Sequence, residues 1–70
     1  MLKVFECYNG DKNLKINRAI NPKMVAAVSF GDYFLSETSN VKCARIDMVS
    51  GNTYFVKAKS LEEVKEKLEN

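Results

Sequence analysis

The turn-forming pair Asn9-Gly10 constrains this chain most strongly, because it lies between two short segments that both favour extended structure. Residues 2–8 are rich in strand-forming side chains, and residues 14–20 alternate between apolar and polar side chains. Asparagine and glycine tolerate the positive φ that a tight hairpin demands. The pattern therefore predicts a first β-hairpin, with strands over residues 2–8 and 14–20.

Asn21-Pro22 ends the second strand, since proline has no N–H for a sheet ladder and suits the first position of a helical turn. Residues 25–35 predict a longer strand, in which Gly31 marks a bulge or a bend. The polar residues 36–40 predict a loop into a strand over residues 41–49. A second hairpin follows from this order.

The third hairpin joins residues 41–49 to a last strand over residues 53–59, and its loop is either Gly51-Asn52 or the three residues 50–52. The longer loop places apolar side chains opposite one another, as packing on one sheet face requires. We therefore expect three cross-strand pairs on the core face: Met48 with Tyr54, Ile46 with Val56, and Ala44 with Ala58. On the other face the same register places Cys43 near Lys59, Arg45 near Lys57 and Asp47 near Phe55.

The chain ends in a segment with the features of a capped helix. Ser60 is followed three residues later by Glu63, which is the capping-box pattern. Leu61, Val64 and Leu68 recur at helical spacing and form one apolar stripe. These signals predict a helix over residues 61–69 that packs on the sheet.

These elements predict an α+β fold, mainly antiparallel β, with about five strands in a curved sheet or small open barrel and one C-terminal helix. Residues 1–70 form a single domain in this interpretation. We expect the core of a chain of seventy residues to supply no more than roughly 3–5 kcal/mol of stability. Self-association into a homo-oligomer is therefore a further expectation.

The composition argues against catalysis and against metal chemistry. There is no histidine, which removes the commonest general base and metal ligand. The three glycines are isolated, so no phosphate-binding glycine loop exists, and Cys7 and Cys43 lack metal-ligand spacing. We predict a protein that is not an enzyme, with no catalytic residues, no cofactor and no metal, and with two small buried thiols.

The first ten residues contain only a brief apolar run, interrupted by Lys3 and Glu6. This pattern fits neither a signal peptide nor a membrane span. We therefore expect a cytoplasmic protein without a membrane partner.

Charge is unevenly distributed along the chain. Residues 1–59 contain nine Lys/Arg against five Asp/Glu, whereas residues 60–70 contain two against four. The last hairpin carries a candidate nucleic-acid-binding set, which consists of Arg45, Phe55, Lys57 and Lys59. Aromatic stacking with cationic side chains is how small β-domains hold single strands. The alternative is that these lysines are solvated and discourage edge pairing of the sheet.

Residues 30–40 are unusually aromatic for a strand beside a polar loop. If the strand alternates, its aromatic side chains cannot all enter one core, and exposed aromatics are typical anchors for a protein partner. The candidate partner-binding residues are Tyr33, Phe34 and Leu35. The alternative is a bulge at Gly31 that turns both sets of side chains inward.

The segments KINRAINPKMVAAV and CARIDMVSGNTYFVKAKSLEEVKEKL resemble the FlbD/SwrD-like small flagellar proteins and similar short phage or mobile-element proteins. The matching positions are Ile20, Asn21, Pro22, Val25, Val28, Gly51, Tyr54, Val56, Ser60, Glu62, Glu63, Val64 and Leu68. The resemblance implies a small fold without enzyme activity, associated with motor function in the flagellar members. The stretch from Phe30 to Asn40 is longer and more aromatic here than in those chains.

The leading functional prediction is a non-enzymatic interaction factor, of the kind that a phage or mobile element uses to bind and inhibit a host protein such as a defence-system component. The alternative is a small nucleic-acid-binding module that uses the basic and aromatic β face. A self-associating structural component is the third possibility.

Overall fold

The computed structural model describes residues 1–70 and contains five strands and one α-helix. The strands are β1 (Lys3–Asp11), β2 (Leu14–Ile20), β3 (Val25–Ser36), β4 (Ser39–Met48) and β5 (Thr53–Val56); a 3-10 turn spans Pro22–Met24 and helix α1 spans Leu61–Glu69. All strands belong to one antiparallel sheet with the order β2-β1-β5-β4-β3. The predicted α+β fold, mainly antiparallel with a C-terminal helix, is confirmed.

The first hairpin has a shorter turn than the segment 9–13 that separates the two predicted strands. Strand β1 continues through Asn9 and Gly10 to Asp11, and the turn itself is Lys12-Asn13. Gly10 does have a positive φ of 77°, but it lies at a pairing irregularity within the strand. Asn13 N–H donates to Asp11 Oδ1 at 2.8 Å, so a side chain two residues back closes the turn.

The β4–β5 hairpin has a register two residues away from the predicted one. Its paired residues are Ala44 with Val56, Arg45 with Phe55, Ile46 with Tyr54 and Asp47 with Thr53. All six predicted neighbour pairs of this hairpin are therefore wrong. The loop is Val49–Gly51 because the positive φ, 97°, falls on Gly51, where glycine meets no steric penalty. A shift of two residues keeps every side chain on its predicted face.

Strand β3 contains no bulge at Gly31, so the alternative of an inward turn at that residue is wrong. Gly31 pairs regularly with Cys43, and the register shifts occur between Val25 and Ala27 and between Phe34 and Ser36. Pairing continues to Ser36 and Ser39, which reduces the predicted loop over residues 36–40 to a tight turn. The two strands of this hairpin are therefore longer at that end than predicted.

Helix α1 defines the inner face of the sheet, and the opposite side is called the outer face. The buried core on the inner face consists of Phe5, Cys7, Ile20, Ala44, Ile46, Val56 and Val64. Ser60 caps the helix, since its Oγ accepts the N–H of Glu63 at 3.2 Å. Glu63 Oε2 in turn accepts the N–H of Lys59 at 2.9 Å, one residue before the expected partner. The helix begins and ends at the predicted residues.

Strand β5 ends at Val56, three residues before the predicted end, because the chain then leaves the sheet for the helix. Only Cys7 and Val56 pair between β1 and β5, followed by Lys57 N–H donating to Glu6 O at 2.8 Å. The sheet also curls, and Lys12 N–H reaches Ser39 Oγ at 3.3 Å. It stays open, with β2 and β3 as its two edges.

Candidate interaction surfaces

Strand β3 carries the three predicted partner-binding residues at the edge of the sheet. It pairs with β4 on one side, and no backbone hydrogen bond joins its other side to a strand. Phe34 is 79% exposed, the most exposed aromatic side chain of the chain. An extended peptide can add a strand to such a free sheet edge and pack its side chains against the exposed aromatic ring.

Tyr33 faces the outer side of the sheet, opposite to Phe34, and its ring is held in place. The ring centroid lies 5.2 Å from that of Phe55 in a tilted arrangement. Its hydroxyl oxygen is 2.9 Å from Ser29 Oγ, within hydrogen-bond distance. Tyr33 is therefore half-buried and braced, and it does not form one continuous surface with Phe34.

Leu35 lies in the irregular part of β3, between the paired residues Phe34 and Ser36, and it is half-buried. Such an extra residue bends a strand locally and increases its twist. The structure thus separates the three predicted anchors into an exposed ring, a braced ring and a residue that shapes the strand.

The outer face joins Arg45 and Phe55 as direct cross-strand partners. Tyr8 lies on the same face, opposite Lys15, whose Nζ is 5.5 Å from the Tyr8 ring centroid. With Tyr33, three half-buried aromatic rings occupy this helix-free side. The sequence interpretation missed Tyr8, although its alternation with the core residues of its strand could have indicated the outward position.

Acidic neighbours reduce the positive charge of the outer face. Arg45 Nε donates to Asp47 Oδ1 at 3.0 Å, and Thr53 Oγ1 donates to the same oxygen at 2.9 Å. The hydrogen bond from Thr53, followed by the one from Arg45, lowers the pKa of Asp47. Asp47 therefore stays ionised beside Arg45, and the guanidinium is only partly free to meet a phosphate.

The four predicted nucleic-acid-binding residues divide into two groups. Arg45 and Phe55 share the outer face, whereas Lys57 and Lys59 border a cavity beside α1, beyond the end of β5. Lys57 Nζ also lies 3.7 Å from Glu6 Oε1. The continuous basic and aromatic patch that the wrong register implied is thus interrupted.

The two cysteines are free, buried and on opposite faces of the sheet. Desolvation by burial raises the pKa of both thiols above their ordinary value of 9.0. A thiol with a raised pKa is a poor nucleophile at neutral pH. The expectation of two buried thiols is confirmed, and their environment suits packing.

No group of three or more His, Cys, Asp or Glu side chains is placed to hold a metal ion, and no helix is long and apolar enough to cross a membrane. Comparison with protein-family models, with curated proteins and with solved structures finds no match to this chain.

Proposed function

We propose that this protein is a non-enzymatic protein-binding factor, and that an extended segment of its partner adds to the free edge of β3 beside Phe34. The observation that carries the proposal is the combination of a β3 edge that has no hydrogen-bonded neighbour strand with a 79% exposed phenylalanine. The β1–β2 turn approaches only the end of this hairpin, where Lys12 N–H reaches Ser39 Oγ. Main-chain hydrogen bonds along such an edge supply affinity, and side-chain pockets supply specificity.

The composition of β3 supports this choice of edge. Sheets that avoid pairing protect their edges with lysines, prolines or inward charges. Strand β3 contains one charged residue, Asp32, in twelve, and no lysine or proline. Its outer edge therefore has no lysine or proline to discourage strand addition, and its protection is limited to Asp32 and to the pairing irregularities near its two ends.

Phe34 and Tyr33 have different roles in the proposed recognition. Phe34 supplies apolar area that a pocket on the partner can bury, and large aromatic side chains dominate interface energetics. Tyr33, held by Ser29 and Phe55, keeps the strand in one shape before binding. A pre-shaped edge loses less conformational entropy on association.

The biological setting that we propose is inhibition of a host protein by an accessory factor of a phage or mobile element, for example by blocking a component of a defence system. A seventy-residue chain without histidine acts most readily by occupying a surface of its partner. Its surface is not densely acidic, which disfavours action as a DNA mimic.

The test is retention of bacterial proteins on the tagged chain after nuclease treatment, with wild type compared with Phe34→Ala. We expect a discrete protein that Phe34→Ala loses. Val49→Ala is the matched control, because Val49 is 59% exposed but lies in the β4–β5 loop. Circular dichroism checks that each variant is folded.

Equal retention by Phe34→Ala and wild type would contradict the proposal. So would loss of the captured protein in Val49→Ala as well, because general surface hydrophobicity would then explain it. A mass that increases with protein concentration in light scattering would show self-association. The occupant of the β3 edge would then be a second copy of this chain and not a foreign partner.

Nucleic-acid binding is the second candidate, favoured by the three aromatic rings and Arg45 on the helix-free face. Stacking on exposed rings is sequence-tolerant and binding through cations falls with salt. We expect Arg45→Gln to weaken binding of a labelled oligothymidylate and to reduce its salt dependence. Fluorescence anisotropy at low and physiological salt measures both, and a signal that neither salt nor the variant changes would reject this candidate.

A further inference from the structure

A cavity of about 470 Å³ opens between β1, the residues that follow β5, and α1. Cavities of roughly 300–1,000 Å³ are the usual size for small-molecule sites. Its apolar lining consists of the buried Phe5 and Val64 and the partly exposed Tyr8 and Ala58, and four lysines surround it: Lys42, Lys57, Lys59 and Lys67. None of its lining residues belongs to β3, so the cavity is separate from the proposed partner edge.

The early end of β5 creates this cavity. β4 and β5 pair from Asp47–Thr53 to Ala44–Val56, and the chain then turns away toward the helix. Lys42 therefore lies on a part of β4 that has no β5 residue beside it. The last strand of the sequence thus leaves a space between β1 and β4, and lysines from three elements meet around it.

The lysines are not neutralised by the two carboxylates of the cavity. Glu63 caps the helix through the backbone of Lys59, and Glu6 makes the single ion pair of the cavity, with Lys57. Lys42 and Lys67 form no ion pair. Two ammonium groups, and the side chain of Lys59, are thus available to an anion.

Lys67 is positioned against the apolar part of the cavity. Its Nζ lies 4.7 Å from the centroid of the Phe5 ring, and Phe5 is 3% exposed. An ammonium over a ring is attracted by the negative face of the ring, and the attraction grows where water is excluded. The Lys67 ammonium therefore covers the buried Phe5 ring, and the apolar surface left to a ligand belongs to Tyr8 and Ala58.

We propose that this cavity binds an organic phosphate of the nucleotide class, with the phosphate among the lysines and the base against the partly exposed side chains of Tyr8 and Ala58. Lysines bind phosphate as point charges, and the side chains of Tyr8 and Ala58 offer apolar area that inorganic phosphate cannot use. A free mononucleotide and the phosphorylated end of an oligonucleotide share this chemistry. The site is independent of the proposed partner-binding function.

The experiment is isothermal titration calorimetry of the full chain with uridine monophosphate, uridine and inorganic phosphate. We expect saturable binding of the nucleotide and binding about tenfold or more weaker for uridine and for phosphate, because each lacks half of the recognised groups. A 5′-phosphorylated dinucleotide, compared with its unphosphorylated form, distinguishes a strand end from a free nucleotide as the source.

Lys42→Gln and Lys67→Gln each test the rim, and we expect each to weaken nucleotide binding about tenfold, as loss of a charge-assisted contact does. Lys65→Gln is the matched control, because Lys65 lies on α1 but does not line the cavity. If Lys65→Gln weakened nucleotide binding equally, overall charge would explain the effect, and the proposed site would be rejected. Absence of nucleotide binding by wild type, or equal affinity for uridine, would also overturn it.

Discussion

The two edge strands of the sheet differ in how they are protected. Strand β2 is seven residues long and carries Lys15 and Arg18, which lie over the rings of Tyr8 and Tyr54. Strand β3 is twelve residues long and has Asp32 as its one charged residue. Both edges lack a neighbouring strand. Strand β2 also exposes apolar side chains but places cations beside them, so we expect that exposure alone does not make a strand an interaction edge.

The largest expected effect comes from breaking the sheet that holds the two edges. Ile46 lies in β4 next to β3, is 0% exposed and belongs to the core. Truncation of a buried isoleucine costs about 2–5 kcal/mol, which approaches the whole stability of so small a domain. We expect Ile46→Ala to be largely unfolded by circular dichroism. A cooperative thermal transition close to that of wild type would contradict the assigned core.

A lysine introduced on β3 tests whether a cation of the kind that protects the β2 edge also blocks the β3 edge. Ala27 on β3 and Ala19 on β2 are both exposed alanines on the outer face. We expect Ala27→Lys to weaken capture of the partner by about tenfold or more, because a lysine on an edge opposes strand addition.

Ala19→Lys is the matched control for that substitution, and we expect it to leave capture unchanged. Quantitative pull-down over a range of protein concentrations measures both variants. Equal effects of the two substitutions would show that β3 is not the edge that the partner uses.

The two buried cysteines, one in each half of the sheet, make the stability of the fold depend on pH. Cys7 pairs with Ile16 of β2 and Cys43 with Gly31 of β3, and burial raises the pKa of both thiols above 9.0. Unfolded thiols ionise at their ordinary pKa, so above about pH 9 the unfolded state binds fewer protons than the folded state.

The free energy of unfolding should therefore fall as the pH rises through 9. Desolvation also raises the pKa of Tyr8, which adds a loss in the same direction at higher pH. Urea unfolding at pH 7.5 and pH 9.5 measures the effect, and a Cys43→Ala chain should show a smaller fall than wild type. A midpoint that rises with pH would contradict the burial of the thiols.

The smallest expected effect concerns the protection of β2 itself. Lys15→Gln removes the contact between an exposed ammonium and the Tyr8 ring, which contributes about 0.5–1 kcal/mol in exposed positions. We expect a correspondingly small decrease in the free energy of unfolding, measured by urea titration. A loss as large as that of a core substitution would mean that the β2 edge depends on this lysine for its fold.

Local signals predicted the elements of the fold better than their pairing. Asn21 accepts the N–H of Lys23 at 3.0 Å before the 3-10 turn, and Ser60 caps α1, as their residue types indicated. A proline and a capping box act within a few residues, so the sequence alone specifies them.

Register and strand order depend on contacts that local patterns do not contain. A shift of two residues in the β4–β5 hairpin leaves the alternation satisfied, so the position of the positive φ, at Gly51, decided it. The insertion of β5 between β1 and β4 joins residues more than forty positions apart, as Cys7 and Val56 show. The cavity beside α1 follows from that insertion and had no signal in the sequence.

The exposed ring of Phe34 illustrates the same limit at the candidate site. Alternation predicted that some aromatic side chains of residues 30–40 face outward, but both alternatives for Tyr33 and Phe34 fitted the sequence. Two structural observations distinguish these alternatives: the hydrogen-bond distance between Tyr33 and Ser29, and the absence of a bulge at Gly31. Ser29 and Tyr33 lie on the same face of the strand, but no pattern of residue types specified that their side chains meet.

The central claim is that β3 is a free edge that a partner strand completes, and hydrogen exchange of the backbone amides tests it most directly. The outward-facing N–H groups of β3 should exchange rapidly in the free chain and become protected in the complex with the captured protein, while those of β2 stay unchanged. Protection that appears along β2, or amides of β3 that exchange equally fast with and without the partner, would contradict the account.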